Sequence, residues 1–317
     1  MGSPHRPACC TGDRESRQPG LVHGFLNGVE LVADAPRTRA PAGGDDDYPA
    51  GLRDLRDAPP RVHLRGARVP PPGRCVAIVG SRAASPYGSA IAERLARDLA
   101  ALGLTVVSGF ARGIDAAAHR GALAGGGGTI AVVASGLDRV AAEEHDGLGA
   151  RIAEHGTFLS EIAAGPPFGR GAFVRRNRLI AALAGATVVV EAAERSGALS
   201  TAAVAKQLGR ALLAVPGDLD RPTSRGTFEL LRAGAKVCGS AADVLAVMPS
   251  GAAPGDTTPL GRVRAALDGR PRPAGEVAAR AGPPLPEVLA LLLRLEWAHV
   301  ASASPGQRWR RAGDAEP

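Results

Sequence analysis

Small residues and arginines recur together along this chain, at Gly80-Ser81-Arg82, Ser108-Gly109-Phe110-Ala111-Arg112-Gly113, Ser135-Gly136, Arg175-Arg176-Asn177-Arg178, Ser196-Gly197 and Pro216-Gly217. The chemistry they suit is anion binding. Glycine and serine let a backbone N–H approach a phosphate, and arginine brings a planar fork that grips two of its oxygens. The densest group heads the run Phe173 to Leu183, which is otherwise apolar. Leu179, Ile180 and Leu183 share one helical face, so the spacing predicts a buried helix starting near Val174, with the arginines in its first turn. Cations there oppose the helix dipole by about 0.3–1 kcal/mol each when exposed, and a bound polyanion reverses that penalty. The competing reading leaves these side chains in water, with Asn177 bonded to a neighbouring loop.

Other chemistries find less support. Asp115 and His119 lie one helical turn apart, and a helix-capping Asp beside a packed His explains them better than an acid/base pair. Ser108, Ser196 and Ser200 sit in no GxSxG-like nucleophile motif. Gly125 to Thr129 looks like a phosphate loop but joins a helix end to a strand start, on the opposite edge of the sheet. Cys9, Cys10, Cys75 and Cys238 form no CxxC pair and no Cys/His metal spacing, so neither a metal nor a cofactor is expected. Gly80 and Gly109 also suit plain turns after a strand, and Arg82 and Arg112 also suit solvated surface positions.

These stretches fall at the ends of predicted strands. "CVAIVG", "LTVVSG", "TIAVVAS", "TFLSEI", "ATVVVEA" and "ALLAVPG" alternate with Ala- and Leu-rich helical runs. Strict alternation implies parallel strands with right-handed crossovers, an α/β fold with a doubly wound, mostly parallel sheet. In such a sheet ligands sit beyond the carboxyl ends of the strands, where Ser160-Glu161 also lies. Several basic loops on one edge predict a groove rather than a single nucleotide pocket. Residues 1–44 read as poorly ordered or as a truncated N-terminal segment, and residues 45–248 as the α/β domain. Residues 249–259 read as a linker, and residues 260–313, three short helices and a β-ribbon, as a winged-helix-like module.

The chain has 317 residues, 45% of them hydrophobic, enough to fill a core of this size. Its net charge of +7 favours anionic partners such as nucleic acid. Lys206 and Lys236 are the lysines, so the basicity is nearly all arginine and in part reflects a compositional bias towards Arg, Ala, Gly and Pro. No signal-peptide core and no run of eighteen apolar residues occurs, so a cytoplasmic protein without membrane contact is expected.

The stretches "VAIVGSRAASPYG", "VVSGFARGIDAAAHRGAL", "GTIAVVASGLD", "FVRRNRLIAAL", "SGALSTAAVAKQLGR" and "AVPGDLDRPTSRGTFELLRAGA" together resemble the DNA-processing protein A family, also called Smf. The resemblance runs from about "DDDYPAGLRDL" to Met248 and implies an extended Rossmann-like domain. It further implies a non-catalytic, homodimeric protein that binds single-stranded DNA and helps load RecA recombinase in natural transformation. By the same resemblance Arg82, Arg112, Arg176, Asn177 and Arg178 line the DNA-binding pocket, with Ser108, Gly109 and Phe110 at its rim. Gly80, Ser81, Arg175, Ser196 and Gly197 complete the expected site, and Phe110, Phe173 and Tyr87 are the candidates for base stacking. "RVAAEEHDGL" departs from the family's Tyr-Pro after "GLD", and "LEWAHV" replaces a usual glycine in the last segment. The alternative is a nucleotide-derivative hydrolase of the lonely-guy type. It needs a glutamate just after Thr201, where Ala202 and Ala203 stand.

Overall fold

Cys75 to Val79 are buried along their whole length, as a strand covered on both faces must be. The alternation along it divides the core. Val76 and Ile78 face one helical layer, while Cys75, Ala77 and Val79 face the other. The computed structural model describes residues 38–140, 144–167, 169, 171–248 and 259–312, with a ribbon of β1 (Phe25–Leu26) and β2 (Val29–Glu30) ahead of them. The expected poorly ordered start and the expected linker at 249–259 lie almost wholly outside the described residues.

The elements then run β3 (His63–Gly66), β4 (Cys75–Val79), α1 (Pro86–Ala101), β5 (Thr105–Ser108), α2 (Ile114–Ala124) and β6 (Thr129–Val133). They continue with α3 (Glu144–His155), β7 (Thr157–Ser160), α4 (Ala172–Leu183), β8 (Ala186–Val189), α5 (Ala198–Gln207), β9 (Ala211–Ala214), α6 (Arg225–Arg232), β10 (Lys236–Val237) and α7 (Ala241–Val247). One sheet of eight strands has the order β10-β9-β8-β4-β5-β6-β7-β3. Every pairing in it is parallel except that of β3 with β7. The expected doubly wound, mostly parallel sheet is therefore present. Its order reverses between β4 and β8, the point where such sheets bind ligands.

Two strands escape the sequence pattern. β3 carries one buried residue, Leu64, among polar neighbours, and β10 is two exposed residues. Upstream, Arg39 and Leu64 exchange backbone hydrogen bonds of 2.8 Å, so pairing begins before residue 45. α4 starts at Ala172, after Gly171, earlier than the apolar pattern predicts. Arg175 to Arg178 consequently occupy its second turn, where Arg176 and Arg178, both buried, project from nearly opposite sides of the helix.

Beyond the sheet, α8 (Pro259–Ala265), β11 (Arg272–Pro273), α9 (Ala274–Ala281), α10 (Leu285–Trp297), β12 (Ala301–Ser304) and β13 (Arg308–Arg311) form three helices and a small antiparallel sheet, β11-β13-β12. Val263, Val277, Val288, Leu292, Leu295 and Trp309 pack its interior. Among the described residues no helix is long and apolar enough to cross a membrane.

Candidate nucleic-acid interface

A cleft of about 570 Å³ opens where β4 and β8 part, walled by the loops that follow them and by the start of α4. It brings together Gly80, Ser81, Arg82, Arg176, Asn177, Ser196 and Gly197 from the expected site. Its charged residues are mostly cationic. Arg82, Arg176 and Arg195 line it, with Asp115 as the carboxylate among them. α5 begins after Gly197, where the Ala198 N–H donates to the Ser196 hydroxyl at 3.3 Å and the Leu199 N–H to the Ser196 carbonyl at 3.1 Å, so the helix turns its positive dipole end to the same space. Asn177 holds this loop, its side-chain amide donating to the Gly197 carbonyl and the Ser200 hydroxyl, both at 3.0 Å.

Arg176 is 6% exposed and forms the floor. Its guanidinium donates to the carbonyls of Gly109 and Val132, at the ends of β5 and β6. A Cβ at Gly109 would lie 2.6 Å from the Asp115 carboxylate and 2.7 Å from the Arg176 guanidinium, so only glycine leaves room for the pair. Burial pushes the Asp115 carboxyl up, and the Arg176 charge opposes that rise. Burial likewise brings Arg176 down to about 10, against the pull of Asp115, so it stays charged at neutral pH.

Arg82 is exposed, and its guanidinium lies 4.8 Å from the centroid of the Phe173 ring, a cation–π contact at the cleft mouth. Phe173 and Tyr87 are exposed and available for stacking. Phe110 is not available in that way. It takes a positive φ of 55° and packs edge-on against Phe158, His145 and His119, inside the core. Ser108 is fully buried and its hydroxyl donates to the Ile78 carbonyl at 2.6 Å, a tie between strands rather than a rim contact. Arg178 turns away from the cleft and pairs with Asp57 and Glu161, both at 2.8 Å. Arg112 and Arg175 are exposed but lie outside the cleft lining. Arg195 is the cation that sequence reasoning missed, although it stands just ahead of the expected Ser196-Gly197 turn. Among the described residues no group of three or more His, Cys, Asp or Glu side chains could hold a metal.

His119, one turn along α2 from Asp115, is fully buried with its Nδ1 2.7 Å from the Thr129 hydroxyl. Burial first, then the charges of His145 and Arg176, hold the imidazole down at about 3. It is a packed structural histidine. A depressed folded value means that the folded protein binds fewer protons, so this contribution is complete above pH 6.5 and lost as pH falls towards about 3. Between those limits unfolding free energy should drop by about 1.4 kcal/mol per pH unit more in the wild type than in His119→Gln. Chemical denaturation across pH reads the difference, and parallel curves would refute it. Arg176→Met removes the donor to the Gly109 and Val132 carbonyls and the cation that opposes the rise of the Asp115 carboxyl, so it should cost roughly 1–3 kcal/mol, and adding Asp115→Asn should return part of that. Urea unfolding of the single and double variants checks this. A loss below about 1 kcal/mol for the single change would show the pair to be weak.

Residues 41–249 match the family described as DNA recombination-mediator protein A. The chain is 43% identical over 76% of its length to a putative DNA processing protein DprA of Mycobacterium tuberculosis, of which the match spans 65%. It is 36% identical over 84% of its length to protein Smf of Escherichia coli, covering 76% of that protein. Among solved structures it resembles DNA processing protein A of Streptococcus pneumoniae, with a TM-score of 0.62 and 37% identity, over 67% of this chain and 75% of that one. It also resembles DNA processing protein A of Helicobacter pylori, with a TM-score of 0.58 and 29% identity, over 67% of this chain and 95% of that one. That second structure was described for its single-stranded DNA binding mode. On the extent of these matches, over the same sheet and strand-end loops that build the cleft, the chain belongs to the DNA recombination-mediator protein A family.

Proposed function

We propose that this protein binds single-stranded DNA with little regard to sequence, protects it, and passes it to the RecA recombinase during transformation or recombination in the cytoplasm. The observation that carries this reading is the gathering of Arg82, Arg176 and Arg195 with the α5 N-terminus at the point where strand order reverses. The cleft has the volume of a small-ligand site, so one nucleotide of the strand enters while its neighbours run along the rim past Arg112 and Arg175. The single-strand binding described for the Helicobacter pylori relative supports the same reading.

Hydrolysis is disfavoured by the chemistry of the cleft. Asp115 is buried under the electrostatic pull of Arg176, and Ala202 and Ala203 follow Thr201 where a catalytic glutamate would stand. We assign residues 45–248 to strand binding and residues 260–313 to a winged-helix-like module. Its α10 exposes Leu285, Leu293 and Trp297 and carries one cation, Arg294, which suits a protein contact better than the reading of a major groove. Self-association fits the β10 edge, where Val237 is 58% exposed on an unpaired ladder side.

Binding of an oligo(dT) followed by anisotropy should weaken steeply with salt, with a log–log slope of about 0.7 per phosphate neutralised. Arg82→Ala and Arg195→Ala should each lower that slope by roughly 0.7, whereas Arg178→Ala should leave it unchanged and cost stability instead. Salt-independent binding, or equal affinity for a duplex, would overturn the reading. Val237→Asp should shift a dimer towards monomer in light scattering and leave the salt slope of each protomer intact. An unchanged mass would place the interface elsewhere.

A further inference from the structure

The sheet order around β4 and β8 is that of dinucleotide-binding folds, whose phosphates rest on the N-terminus of the helix after the first central strand. Here that helix is α1, 16 residues long, and the chain itself fills the position. Glu191, two residues past β8, is 5% exposed. One carboxylate oxygen accepts the Ser85 backbone N–H at 2.9 Å and the other accepts the Ser85 hydroxyl. Ser85 is the N-cap of α1, and its hydroxyl oxygen accepts the Gly88 N–H at 3.0 Å. A Cβ on Gly88 would lie 2.4 Å from the Glu191 carboxyl carbon and 2.7 Å from each of its oxygens. Gly88 thus does for a carboxylate what a phosphate-loop glycine does for a phosphate, by letting it lie against the first helical turn.

We propose that Glu191 is an intrinsic anion that occupies the phosphate position of α1, bars free nucleotides from it, and fixes the loop that carries Arg82 to the cleft. The loop Gly80–Ser85 is tied at one end by Glu191 and at the other by the Ile114 N–H on the Ser81 carbonyl, at 3.1 Å. A free nucleotide therefore meets a filled position at the helix, and what remains open is the cleft beside it. The exclusion stands on the hydrogen bonds alone, whereas the positioning of Arg82 for a strand rests on the function proposed above.

The test is chemical rescue. Glu191→Ala empties the position and frees the Ser85 N–H and hydroxyl, so it should melt below the wild type by roughly 3 °C or more. Sodium acetate or inorganic phosphate should restore most of that shift at concentrations that leave the wild type unchanged against chloride of equal ionic strength. Glu191→Gln fills the space without the charge, so it should melt lower than the wild type and gain nothing from either anion. Absence of anion-specific rescue in Glu191→Ala overturns the proposal. If that variant does not fold, a Glu191→Gln protein that melts with the wild type overturns it as well. In oligo(dT) binding, Glu191→Gln should lose affinity severalfold with an unchanged salt slope, and equal affinity would remove the positioning role. A wild type that binds no oligonucleotide would instead overturn the strand-binding reading and leave the rescue result standing.

Discussion

The buried guanidinium of Arg176 joins the parts of the binding edge. α4 packs on one face of the sheet and α2 on the other, as Leu179 and Ile180 against Ile114 and Ala117 show. Arg176 reaches from α4 to the carbonyls that end β5 and β6, and meets Asp115 of α2. Taking such a pair out of water costs several kcal/mol per ion and is tolerated only where hydrogen bonds satisfy the charges. Here the Gly109 and Val132 carbonyls accept from the guanidinium, and the Ala111 N–H donates to the Asp115 carboxylate at 3.4 Å. Arg82 and Arg195 line the cleft above this floor.

The sheet was legible in the sequence because its strands are buried on both faces and so appear as short β-branched runs between amphipathic helices. β3 was not, since Leu64 alone marks it and its pairing with β7 is long-range. The strand-end arginines were legible as a group but not individually. The sequence shows four polar residues in a row from Arg175, and the elements packed around α4 decide which of them are buried. Arg178 then finds Asp57 and Glu161, partners far away in sequence. Phe110 has the composition of a rim residue, yet a positive φ turns it into the core against Phe158 and His145. Arg195 offered no pattern, because one arginine in a polar loop looks like any solvated side chain.

Two carboxyl groups of the chain itself, Asp115 in the cleft wall and Glu191 at the start of α1, lie beside positive elements of this edge. Their effect is opposite to what a count of charges suggests. Each neutralises a fixed positive element inside the protein, a guanidinium in one case and a helix end in the other. The cleft between them is left to Arg82 and Arg195, both exposed.

The net charge of +7 is accordingly a poor measure of grip. Many arginines answer acids within the chain, as Arg178 does with Asp57, Arg210 with Asp54 and Arg272 with Asp268. Arg82 is different, because its partner is the face of Phe173. A ring contact uses the charge of the guanidinium without occupying its N–H donors by a carboxylate, and those donors are what two phosphate oxygens require. A cation held by an aromatic ring gives up less conformational freedom on meeting a phosphate than a free one, and loses none of its charge to a carboxylate. Arg82 is thus a cation placed by a neutral contact, a property that the basicity of the whole chain does not reveal.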